Sequence, residues 1–219
     1  MSRIGVSNEV AQLREGIRAA LDTKNAGGRK VGDAKYGVYA FYDYDGEPIY
    51  VGQTTEKLRV RIRRHLTNHR TDAVAMNVLD PFEVAEIEMW PLWNLPDSGA
   101  KKHLDAVEYT VFEDVLLKSR FHAVLNEKDM PAAEVVELPA SYRVAIVPAE
   151  LHAVRSHPDI RLARRAMTIA ALAKVVSERE VSPGLRRTLL TQARRLQALA
   201  DIRYQDFAHD PVEIDDGAE

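Results

Sequence analysis

One dipeptide, Asp45-Gly46, constrains this chain more than any other two residues. Before it lies Tyr36-Gly37-Val38-Tyr39-Ala40-Phe41-Tyr42, and after it Pro48-Ile49-Tyr50-Val51-Gly52. Asp-Gly between apolar and aromatic runs signals a β-hairpin, because a two-residue turn needs positive φ, which Gly adopts freely. A strand over 36–42, a tight turn and a second strand over 48–52 follow. Tyr39 and Tyr50 stand eleven positions apart. On adjacent antiparallel strands they are close enough to serve one site.

Apolar periodicity supplies the surrounding elements. Val10, Leu13, Ile17 and Leu21 predict an amphipathic helix over 8–22, capped by Ser7 or Asn8. Three glycines within 25–32 read as a flexible connection. After the hairpin, Leu58, Ile62 and Leu66 share one helical face, with Thr54 or Thr55 as the cap. Arg61 and His65, an i, i+4 pair, flank that face; Arg59, Arg63 and Arg64 point to solvent or to a phosphate. Residues 81–92 predict a third strand, 92–100 a loop, and 100–119 a helix. That helix carries Leu104, Val107, Val111 and Val115 as its stripe and Glu108 at the stripe's flank. Residues 125–139 read as irregular, and 142–147 alternate weakly enough for a short strand. From Pro148 the pattern is helical, with 159–179 and 184–201 as a helical hairpin. The fold class expected is α+β: a small antiparallel three-stranded sheet flanked by helices, followed by a C-terminal helical region.

Charge is unevenly distributed around a formal net of −3. Residues 57–70 hold Lys57, Arg59, Arg61, Arg63, Arg64 and Arg70 and no acid; residues 155–195 hold ten basic residues against three acidic ones. The end from Asp201 carries seven acids against Arg203, and 210–219 has the composition of a disordered tail. Basic islands of this kind suit phosphate contact, although arginines on helices are also ordinary solvated faces. The first island, beside the tyrosines, favours phosphate; the second stays open. The absence of cysteine excludes disulfides and thiolate metal sites. No apolar run reaches a membrane span and the N-terminus lacks a signal-peptide core, so a cytoplasmic location is expected.

The two segments Gly37-Val38-Tyr39 and Tyr50-Val51-Gly52 resemble the paired motifs of the GIY-YIG nuclease superfamily, with Val38 and Val51 in place of isoleucine. Arg61-Ile62-Arg63-Arg64-His65 resembles the family's arginine–histidine element, Glu108 its metal-binding glutamate, and Asn126 in Leu125-Asn126 its late asparagine. The resemblance spans roughly 36–128. With the periodicity and charge pattern of the rest of the chain, the expected division is an N-terminal helix and linker (1–30), a nuclease-like domain (31–140), a helical region (141–205) and an acidic tail (206–219).

The resemblance implies roles. Tyr39 is the candidate general base, and a phenol near pKa ~10 needs a nearby cation to serve. Tyr50 would hydrogen-bond the water or phosphate, and Arg61 would grip the scissile phosphate with its planar fork. Arg59 is the rival if the register is shifted. His65 would orient a tyrosine, Asn126 would buttress the site, and Glu108 would hold Mg²⁺ or Mn²⁺. A single carboxylate suits such hard ions, which keep several waters; Glu113 and Asp114 show that the residue type alone does not single out Glu108. Lys57, Arg59, Arg63, Arg64 and Arg70 are the expected DNA contacts. The implied activity is metal-dependent hydrolysis of DNA phosphodiester bonds by inline attack of water, in restriction or phage defence. Cutting both strands with one site per chain would need a homodimer, two visits or a second nick. A non-catalytic nucleic-acid-binding module and a structure-specific or single-strand repair nuclease are the alternatives.

Overall fold

The computed structural model describes residues 8–67, 80–126 and 129–208. Ser7, Arg70 and the tail from Asp210 lie outside these residues. Four strands form one antiparallel sheet: β1 (Tyr36–Tyr42), β2 (Pro48–Thr54), β3 (Glu86–Leu92) and β4 (Tyr142–Ala145), in the order β2-β1-β3-β4. The helices are α1 (Asn8–Leu21), α2 (Leu58–Thr67), α3 (Ala100–Lys118), α4 (Ala149–Arg155), α5 (Pro158–Glu178) and α6 (Pro183–Ala208). No helix among the described residues is long and apolar enough to cross a membrane.

Several boundaries differ from those read in the sequence. The sheet has four strands rather than three. The added strand, β4, is short and lies at an edge with every residue at least partly exposed, so its apolar alternation is faint. The third strand begins at Glu86, because Pro81–Glu83 forms a 3-10 turn whose first amides are capped by Asp80, which accepts from Phe82 N at 3.0 Å. The 25–32 segment is an ordered turn: Gly28 N donates to Asn25 O, Arg29 N to the Asn25 side chain, and Val31 is buried. α6 continues to Ala208, past the expected start of the acidic tail.

The hairpin forms where expected, but its loop is longer. Asp43 N donates to Glu47 O at 2.9 Å and Gly46 N to Asp43 O at 3.0 Å, with Gly46 at φ 75°. This is a three-residue loop closed by a left-handed glycine. Asp43 Oδ1 accepts from Asp45 N and Glu47 N, so the loop's amides find partners inside it.

β1 lies between β2 and β3 with helices on both faces, which buries all seven of its residues. Period-two alternation sends Tyr39 and Phe41 into one core, with Leu13, Ile17 and Leu21 of α1, Leu58, Ile62 and Leu66 of α2, and Leu172 and Leu185 of α5 and α6. Val38, Ala40 and Tyr42 face the other core, against Leu104, Val107, Val111 and Val115 of α3. Each such buried side chain contributes about 1.5–3 kcal/mol.

The C-terminal helices are held to the sheet by charge as well as by these apolar contacts. Arg161 forks Asp45 at 2.7 and 2.6 Å, Arg165 reaches Asp43 at 2.8 Å, Arg164 chelates Asp80, and Arg155 reaches Glu9 at 2.8 Å. Arg155, Arg161, Arg165 and Arg195 are all buried. Much of the second basic island thus lies inside the fold rather than on a phosphate-facing surface. A buried carboxylate unmatched by such a partner would be strongly destabilising.

Candidate active site

The site forms where the two strands of the hairpin meet α2 on one face and α3 on the other. Tyr39 pairs directly with Gly52 across the ladder. A Cβ at Gly52 would come within 2.7 Å of both the Tyr39 hydroxyl and Tyr50 Cε1. Glycine is therefore what lets the Tyr39 ring lie across β2. Gly37 works similarly, since a Cβ there would stand 2.9 Å from Leu58 Cδ1 and hold α2 away from β1. The two glycines of the tyrosine segments are thus packing requirements for bringing a helix and a phenol to one spot.

Tyr39 is fully buried, and its hydroxyl has no hydrogen-bond partner among the described residues. Such a group costs the fold unless something else uses it. Its ring centroid is 6.2 Å from Tyr50 and 6.0 Å from His65; Tyr50 and His65 are 5.2 Å apart. His65 is only 3% exposed, so it lies beneath the tyrosines rather than on the helix surface. Arg61 is half-buried and acts electrostatically on both phenols, yet no hydrogen bond of good geometry joins it to the Tyr39 hydroxyl. Burial and the neighbouring Tyr50 push the Tyr39 phenol well above its ordinary pKa, and Arg61 draws it back only in part. Burial also works against the Arg61 charge, but Tyr39, Tyr50 and Glu56 more than offset it.

The other members of the basic run are less available than their sequence implies. Arg59 bonds Asp33 at 2.8 Å and Asp22 at 3.0 Å, so its guanidinium is engaged by two carboxylates. Arg64 pairs with Glu56 at 2.5 Å, and Lys57 stands 3.7 Å from Asp33. Arg63 is exposed. Arg70 lies outside the described residues.

Glu108 projects from α3 on the opposite face and acts electrostatically on Tyr39. Gln53 Nε2, at the end of β2, donates to Glu108 Oε2 and to Asp105 Oδ1, each at 2.6 Å. Neither Gln53 nor Asp105 was singled out from the sequence. The signal was present: Asp105 and Glu108 are three apart on one helix face, and Gln53 follows Val51 on the same side of the strand. Burial pushes the Glu108 carboxyl up to about 7, with Gln53 and Lys101 opposing. A cleft of about 900 Å³ opens beside Glu108, Gln53 and Asp105, between the first turns of α3 and residues 130–136. Tyr39, Tyr50, Arg61 and His65 do not line it.

Mg²⁺ and Mn²⁺ take oxygen ligands and accept one or two carboxylates with water completing the shell. The donors here fit such an ion. The Gln53 amide nitrogen bridges two carboxylates, Gln53 Oε1 is buried without a partner among the described residues, and burial works against the Glu108 charge. Among the described residues no three His, Asp or Glu side chains converge into a closed cage. Glu108 would therefore be the protein's principal ligand, with Asp105 beside it.

Asn126 is placed differently from the charged groups. Its Oδ1 accepts from Val51 N at 3.0 Å and its Nδ2 donates to Val51 O at 2.9 Å. It mimics a neighbouring strand along the outer edge of β2, next to Tyr50. Residues 35–113 match the family model described as the GIY-YIG catalytic domain. The matched segment includes Tyr39, Tyr50, Arg61, His65 and Glu108 and ends before Asn126. Neither the curated proteins nor the solved structures contain a match to the chain.

Proposed function

We propose, from the membership of residues 35–113 in the GIY-YIG nuclease superfamily, that this chain is an endonuclease hydrolysing DNA phosphodiester bonds by inline attack of water, with Mg²⁺ as its ion and Mn²⁺ as a substitute. The observation that carries the reading is the Tyr39 hydroxyl: fully buried, without a hydrogen-bond partner among the described residues, and subject to both Arg61 and Glu108. A buried phenol under the electrostatic influence of both a cation and a carboxylate supports a site for phosphodiester hydrolysis.

In this reading Arg61 grips the scissile phosphate, its fork offering two parallel donors to two phosphate oxygens. Tyr39 orients the attacking water through its oxygen and becomes a base only when positive charge is added beside it. Tyr50 and His65 pack against Tyr39 and hold its ring in place. Glu108 would hold a divalent ion, which when bound would supply neutralisation of the charge that builds on the transferring phosphoryl group. Arg63 and Arg64 lie on the helix that carries Arg61, Lys57 immediately precedes it, and all three are the proposed flanking phosphate contacts. Restriction or phage defence is the proposed setting. Its support is that α5 and α6 are bonded to the hairpin loop instead of forming a detached DNA-reading arm. A DNA substrate accords with a cytoplasmic location.

The test is incubation of supercoiled plasmid with Mg²⁺ or Mn²⁺, with the parent protein and with Glu108→Ala. Nicked or linear products from the parent alone are expected. A parent that retards plasmid on a gel but leaves it uncut under several divalent ions would instead be a binding module. Mapping the cut ends on a defined duplex then tests the setting: a recurrent short sequence supports restriction, and cuts tied to branches or single strands overturn it.

A further inference from the structure

On the reading that Tyr39 and Tyr50 serve the reaction, we propose that Arg195 is a positioning residue, through which the C-terminal helices hold β2 in the place the site needs. β2 is an edge strand, so the backbone groups on its outer side have no strand to pair with. Residues beyond the matched segment take that place. Arg195 Nη2 donates to Pro48 O at 2.8 Å and to Ala123 O at 3.3 Å. Leu125 N donates to Ile49 O at 2.9 Å, and Asn126 brackets Val51. Tyr50 stands between Ile49 and Val51. Arg195 therefore ties the start of β2 to the short segment that carries Leu125 and Asn126.

The guanidinium is 2% exposed, and its surroundings fix its direction. Glu47 Oε2 lies 3.7 Å away and itself accepts from Ser119 Oγ at 2.7 Å, while Glu47 Oε1 accepts from Arg120 N at 2.9 Å. Arg165 donates to the carbonyl of Arg195 at 3.2 Å and to Asp43 at 2.8 Å. Arg161 forks Asp45. α5 and α6 thus grip the hairpin at its loop and at its outer edge. One grip lies four residues after Tyr39, at Asp43; the other lies two residues before Tyr50, at Pro48. An apolar side chain could fill the same volume. A planar fork aimed at backbone carbonyls also sets where the strand lies, and a displacement of about 1 Å at a reacting group costs on the order of 100-fold in rate.

The test uses Arg195→Lys, which keeps the charge and loses the fork, and Glu47→Gln/Arg195→Met, which removes the buried charge together with the carboxylate 3.7 Å from it while Asp43 keeps Arg165. Plasmid cleavage is measured over a range of DNA concentrations up to saturation, and amide hydrogen exchange is followed residue by residue. The expected result is a kcat lower by about tenfold or more with KM within about twofold. Exchange at Val51 and Leu125 should be faster by about tenfold, with the β1–β3 ladder unchanged. If Arg195→Lys does not fold, the double variant decides by the same measurements. Parent-like kcat, or unchanged exchange at Val51 and Leu125 in a folded variant, overturns the proposal. If the parent cuts no DNA, the proposed function fails, and the exchange measurement alone still decides whether Arg195 positions β2.

Discussion

Replacing Glu108 by glutamine should make the metal-free protein more stable and catalytically dead. The Glu108 carboxyl titrates at about 7 in the folded chain against an ordinary 4.5, chiefly because it is buried. Between those values the folded chain holds a proton that the unfolded chain has released. The penalty is therefore absent below about pH 4.5, grows between 4.5 and 7, and is complete above 7. The rise from 4.5 to about 7, at roughly 1.36 kcal/mol for each tenfold change in proton affinity, sets it at about 3 kcal/mol. Glutamine carries no charge and can still accept from Gln53 Nε2, so Glu108→Gln should gain up to about that much at pH 8 in EDTA. For a chain of this size that is a rise in Tm of about 6–12 °C. Calorimetry at pH 8 and pH 5 reads the difference, which should shrink toward acid pH. Excess Mg²⁺ should raise the Tm of the parent and leave the variant where it was. A variant equal to or less stable than the parent at pH 8, or a gain that does not depend on pH, would refute the account of Glu108 as a strained, cation-seeking carboxylate.

Gly52→Ala places a methyl 2.7 Å from the Tyr39 hydroxyl. It should cost about 1–3 kcal/mol in urea unfolding and lower kcat by on the order of 100-fold as the phenol is displaced. Arg165→Met leaves Asp43 buried without its 2.8 Å partner and should destabilise by about 3–5 kcal/mol, with most of the loss recovered in Asp43→Asn/Arg165→Met; an undiminished loss in the double variant would contradict this. Arg61→Lys keeps the charge and loses the fork, so kcat should fall at least about tenfold while DNA affinity in gel retardation changes little. Equal kcat would remove Arg61 from the reaction.

The parts of this fold that are legible in the sequence are those whose cause is local. Asp45-Gly46 marks the hairpin because a left-handed residue is needed there, and Leu104, Val107, Val111 and Val115 mark α3 because one face must be dry. The exact loop length was not legible: the Asp43 side chain caps the loop and lets it take an extra residue. β4 escaped a firm assignment because a four-residue edge strand buries too little to impose alternation. The arginines of 155–195 resembled a surface for phosphate because their carboxylate partners lie 82 to 146 positions away in pairs such as Arg165–Glu83 and Arg155–Glu9. Pairing over that distance leaves no local pattern. Lys57, Arg59 and Arg64 illustrate the same effect on the first island, where nearby acids just after α1, in the 31–33 turn and at residue 56 claim part of the charge.

The Arg195–Pro48 bond joins residues 147 positions apart, and this separation orders events in time as well as in space. Synthesis proceeds from the N-terminus, and contacts between distant residues form late because the intervening loop must close first. The hairpin bearing both tyrosines is therefore made before the residue that latches its outer edge. Until α6 has been made and docked, a nascent chain carries that hairpin with its outer edge unsecured.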